Sequence, residues 1–137
     1  MEQNEFDDLV KELKDRNFIA RKRSIKPSPY VKYFVFASRG GEVMYTPHAL
    51  KYFMRNEICW ILLHEEYHCS TFIGEIPFIS ESPGIKYANE KILLFDPKII
   101  LDDLLKSIGA HWREYKETLP PINKIQKFLA YIGLGDK

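Results

Sequence analysis

The sequence predicts an α+β domain, a small antiparallel sheet set among helices, on three observations. Phe6, Leu9, Val10 and Leu13 recur at the i, i+3, i+4, i+7 spacing of one apolar helix face. Two runs rich in Val, Phe and Tyr flank the pair Gly40-Gly41, the pattern of a hairpin. Three Ser/Thr/Asp-Pro pairs (Thr46-Pro47, Ser82-Pro83 and Asp96-Pro97) each precede an apolar stretch, the pattern of a cap and a proline at the first helical position.

Taken in order, the first helix covers about Asn4 to Arg16, with Asn4 as its cap and Asp7 and Asp8 at the positive end of its dipole. A basic stretch follows, Arg21-Lys22-Arg23 with Lys26, read as a solvated loop and closed by Pro27 and Pro29. Tyr30 to Ser38 reads as a strand apolar on both faces, and Glu42 to Thr46 as a shorter second strand. Helix starting at Thr46-Pro47 runs through Leu50, breaks near Asn56 and continues from Glu57 to about Phe72. Ile76 to Ser80 is a further short strand or a loop. The next helices span Ser82 to about Phe95 and Asp96 to Ile108, the latter ending at Gly109. A last helix after Pro120-Pro121 carries Ile122, Ile125, Leu129 and Ile132 on one side.

The 137 residues suit one domain over 1–137. A formal charge of +1 gives no global case for a polyanion-binding protein. The segment around Arg21-Lys22-Arg23 is the only local patch for nucleic acid, and a run that short usually faces solvent. No stretch reaches the ~18–20 apolar residues of a membrane span. The acidic, polar start is wrong for a signal peptide, so a cytoplasmic location is expected. If Cys59 and Cys69 share one helix, ten residues set them about 15 Å apart, beyond disulfide reach.

The chemistry concentrates in His64-Glu65-Glu66-Tyr67-His68, an H-E-x-x-H sequence. On a helix, i and i+4 put both imidazoles on one face, where they can hold one zinc ion. Glu65 stands about 100° round from His64, beside the ion, where it suits a base that deprotonates the attacking water. With four histidines and 12 glutamates in the chain, the pattern arises by chance in about one such chain in a hundred. The alternative is a helix with two hydrogen-bonded structural histidines. Burying both without partners would cost about 1–3 kcal/mol each. Cys69 and Tyr67 point elsewhere on the helix and read as packing, and His48 as a surface residue.

A catalytic zinc needs a third protein ligand. The downstream candidates are Glu75, Glu81, Glu90, Asp96, Asp102, Asp103 and His111. Glu75 lies at the exit of the motif helix, and Glu81 in a Ser/Pro/Gly-rich loop. Glu90 stands within a helix able to pack against the motif helix.

Here the chain resembles the gluzincin zinc metallopeptidases. Thermolysin and the aminopeptidase N group carry H-E-x-x-H and, about twenty residues later, an Asn-Glu whose Glu is the third ligand; Asn89-Glu90 matches it. The resemblance spans Ile61 to Glu90. It implies zinc on His64, His68 and Glu90, with Glu65 as general base and acid, and a peptide or protein substrate. Thermolysin-like sequences place an Asp four residues after the glutamate ligand, and here that position is Leu94. Size and element order are most similar to the minigluzincins, which implies a zincin-like minimal domain and latency relieved by a partner or by trimming. In a zincin-like fold, Glu42–Thr46 is expected to be the exposed edge strand above the zinc, where a peptide adds as a further strand. His111 and Tyr115, four apart, are the candidates to stabilise an oxyanion opposite Glu65. The rival reading is a non-catalytic zincin-fold module that binds protein or DNA.

Overall fold

The computed structural model describes residues 1–28, 35–71 and 82–119. Most of the expected Tyr30–Ser38 strand, the Ile76–Ser80 segment, the helix after Pro120-Pro121, and Glu75 and Glu81 lie outside the described residues. The fold is α+β: α1 (Gln3–Asp15), β1 (Ser24–Pro27), β2 (Phe36–Arg39), β3 (Glu42–Tyr45), a 3-10 turn (Pro47–Tyr52), α2 (Arg55–Thr71), α3 (Ser82–Phe95) and α4 (Leu101–Lys116).

The hairpin β2–β3 forms as expected, with Arg39 opposite Glu42. Gly40 (φ 62°) and Gly41 (φ 81°) both take the left-handed region that a two-residue turn of this hand requires. The sheet differs from expectation in two ways. Ser24–Pro27, read as part of a solvated basic loop, is a strand paired in parallel with β3, so the sheet is mixed. The strand order is β1-β3-β2. Glu42–Tyr45 is therefore the central strand, not the edge, and β2 is the edge strand beside α2.

α1 buries Phe6, Leu9 and Leu13, and Phe6 packs on Tyr45 (4.6 Å between ring centres) and Phe36 (6.0 Å). Its first turn carries no side-chain cap, since the cap position falls on Glu2 rather than Asn4. α2 is the hub. It buries Glu57, Ile58, Cys59, Trp60, Leu62, Leu63 and Glu66, so it is covered by other elements on most sides and two of its acids are enclosed with its apolar residues. α4 starts later than expected and runs straight through Gly109. Leu104, Ile108, Trp112 and Tyr115 continue one core-packed face across that glycine, and this packing outweighs the roughly 1 kcal/mol cost of glycine in a helix. Among the described residues no helix is long and apolar enough to cross a membrane.

Both cysteines are free. Burial pushes the Cys59 thiol from 9.0 up to about 12. At pH 8, Cys59 should therefore resist a maleimide in the native protein and react at once in denaturant, as read by mass spectrometry. The sign for stability follows. The unfolded chain releases this proton from about pH 9 and the folded one only near 12, so stability falls as pH rises through that window.

Candidate metal centre

α2 carries Trp60, His64 and His68 at i, i+4, i+8, a single stripe that faces α3. His64 Nε2 and His68 Nε2 lie 3.0 Å apart, their ring centres 4.7 Å apart. Two nitrogens bound to one tetrahedral zinc at 2.0–2.1 Å would stand about 3.3–3.4 Å apart. The 3.0 Å separation is that of a hydrogen bond between the two rings, a few tenths of an ångström short of the zinc spacing, and the pair supplies two of the ligands a zinc ion needs.

Glu65 leaves this stripe and turns toward the sheet, where its carboxylate accepts a hydrogen bond from Ser38 Oγ of β2. Ser38 is buried. The edge strand thus holds the motif glutamate on the sheet side of α2, about 100° round from His64. Cys69 sits nearby. Burial raises its thiol to about 11, against the opposing effects of a hydrogen bond with Ser38 and the positive charge of Arg23.

Glu66, the unassigned middle residue of the motif, has the most elaborate surroundings. It is buried and accepts two hydrogen bonds from the guanidinium of Arg23, from Nε at 2.8 Å and Nη2 at 3.0 Å. Ser70 Oγ donates to it at 2.9 Å. Arg23 Nη1 also donates to the Gly41 carbonyl at 2.9 Å, which ties the hairpin turn to α2. The Glu66 carboxylate holds the Arg23 guanidinium above its ordinary pKa. Arg21 pairs with Asp15 and Lys26 with Glu42, so three cations of the basic stretch are engaged by acids of this chain.

The other candidates fall elsewhere. α3 runs back along α2, so that Asn89 accepts a hydrogen bond from Trp60 Nε1 (2.9 Å) while its neighbour Glu90 is exposed. Ala88 is fully buried in the interface, and Glu90, 200° further round, is on the opposite face. The structure does not bring Glu90 to the histidines. Among the described residues no group of three His, Cys, Asp or Glu is arranged to hold a metal. Glu90→Gln should accordingly leave zinc affinity within about twofold, measured by titration against a competing chelator. A loss of tenfold or more would put Glu90 on the metal.

His111 and Tyr115 do not face Glu65. His111 Nδ1 donates to both oxygens of the buried Glu57, at 2.8 and 2.9 Å. Ser107 Oγ and the Met54 N–H donate to the same carboxylate, each at 2.6 Å. Glu57 is two turns before His64, about 10 Å along the helix, so this cluster pins α4 to the far end of α2. Tyr115 is fully buried beside Tyr52 (5.4 Å), with Thr46 as its hydroxyl's hydrogen-bond partner. Burial raises its phenol pKa. Tyr115→Phe should cost about 1 kcal/mol in a denaturant melt and leave any hydrolytic rate unchanged. A rate loss with stability intact would return Tyr115 to the chemistry. His48 is exposed and packs its ring edge on Tyr52, and Tyr67 packs on Tyr87.

Ser38 and Gly84 are residues around the motif that the sequence did not single out, Glu66 was given no role there, and Arg23 was read only as part of the basic stretch. No family model, no characterised protein and no solved structure matches this chain.

Proposed function

We propose that the chain is a zinc-dependent metallopeptidase of zincin-like fold, centred on His64, Glu65 and His68. The observation that carries this reading is the convergence of the two Nε2 atoms to 3.0 Å on one helix face, with the Glu65 carboxylate one residue away and held by Ser38. His64 and His68 would hold the ion. Zinc, when bound, supplies a Lewis acid that makes water nucleophilic near neutral pH. Glu65 takes the proton of the attacking water and returns it to the leaving amine. Ser38 fixes the carboxylate's orientation by donating a hydrogen bond to one of its oxygens. A peptide would lie along the edge strand β2 rather than β3, since β2 flanks the motif helix.

Zinc titration with metal analysis, paired with cleavage of unfolded protein substrates, tests the reading. One zinc per chain is expected, lost in His64→Ala and His68→Ala. No zinc uptake by the wild type would remove the metallopeptidase assignment. Zinc uptake without cleavage would favour the non-catalytic module.

A further inference from the structure

We infer that Gly84, in the first turn of α3, is a positioning residue for the two-histidine site, there because it has no side chain. The inference rests on the metal reading of His64 and His68. A Cβ built at Gly84 would stand 2.6 Å from His64 Cδ2, 2.9 Å from His64 Nε2 and 3.3 Å from His68 Nε2. Carbon needs roughly 3.5–4.0 Å from such atoms. The backbone gives no other reason for glycine here. Gly40 and Gly41 are the only described glycines with positive φ, so α3 at this point has a conformation open to any residue. Space is the reason, and the space belongs to the Nε2 edges of both rings.

Those three contacts are the nearest atoms a Cβ would meet, and all belong to imidazole rings. In the metal-free protein a methyl group here would displace one ring at the cost of its contact with the other, while alanine itself favours the helix. With an ion between the rings neither can turn without releasing it. The same methyl group therefore costs the fold one ring contact and is opposed by the metal. Gly84 thus keeps the pair within chelating distance from the α3 side, while Ser38 orients Glu65 from the β2 side.

The test uses the full chain as wild type, Gly84→Ala and Gly109→Ala, titrated with Co²⁺ and followed by its visible d–d absorption, then with Zn²⁺ by competition. At Gly109 an added Cβ would make an ordinary 3.6 Å contact with Arg113, so that variant controls for glycine removal in a helix. Gly84→Ala is expected to melt, without metal, close to the wild-type temperature and to bind both ions at least tenfold more weakly, with an altered Co²⁺ spectrum. Gly109→Ala is expected to bind like the wild type. Wild-type affinity and spectrum in Gly84→Ala would overturn the proposal while leaving the metal site standing. A Gly84→Ala protein that fails to fold would overturn it too, since the glycine would then serve helix packing. A wild type that binds neither ion would overturn the metal reading along with it.

Discussion

Glu65→Gln is expected to lower peptide hydrolysis by about 10²–10⁴-fold while zinc content and melting temperature stay at wild-type values. The amide is nearly isosteric with the carboxylate and still offers an oxygen to Ser38 Oγ, so the bond that orients the side chain survives. What disappears is the ability to accept a proton from the attacking water. Steady-state cleavage of a fluorogenic peptide, with metal analysis on the same sample, separates the two effects. Hydrolysis at the wild-type rate would place the base on another residue. Zinc loss in step with activity would make Glu65 a ligand or a structural support.

Arg23→Ala should produce the largest change in stability. It strips a buried carboxylate, Glu66, of its two charge-assisted hydrogen bonds, and removing one partner of such a pair costs about 3–5 kcal/mol. For a domain of this size that lowers the melting temperature by roughly 10–20 °C. Arg23→Lys should recover little, because a single ammonium cannot reproduce the forked contact or the bond to the Gly41 carbonyl. The decisive comparison is Arg23→Met combined with Glu66→Leu. Replacing both charges with apolar groups should restore most of the stability, because no charge is left buried alone. Were Arg23→Ala to melt within about 2 °C of the wild type, the pair would be a surface contact of little weight.

Much of this was legible where the signals are local. The period of Phe6, Leu9 and Leu13, the Gly40-Gly41 turn and the Ser82-Pro83 start each act over a few residues; α1 and α3 follow within two positions and the hairpin turn falls where expected. The motif was legible for the same reason, since i and i+4 on a helix need no knowledge of the rest of the fold. What escaped was set by pairing across the chain. Ser24-Ile25-Lys26-Pro27 is short, basic and ends in proline, and it becomes a strand only because β3 accepts it in parallel. That pairing moves β3 from edge to centre, a fact no residue of Glu42–Tyr45 announces. The rotation of α3 is likewise a two-helix property. Gly84 and Ala88 let it approach α2 on one side, and Glu90 is thereby sent to the other. Gly109 looked like a helix stop until the core-packed face of α4 overrode it. His111 and Tyr115 looked like a catalytic pair because their spacing is helical, whereas Glu57 and Thr46, which claim them, lie more than fifty residues earlier.

The central position of α2 has a consequence for amide exchange. A helix enclosed by α1, α3, α4 and the sheet has no route to open alone, so its core N–H groups around Leu62 and Leu63 should exchange with deuterium only when the whole domain unfolds. A ligand clasped by His64 and His68 is then linked to the global transition and not to a local fluctuation. Zinc at a hundred times its dissociation constant would slow exchange at those amides by about a hundredfold. Frayed positions at the ends of α1 and α4 would keep their rates.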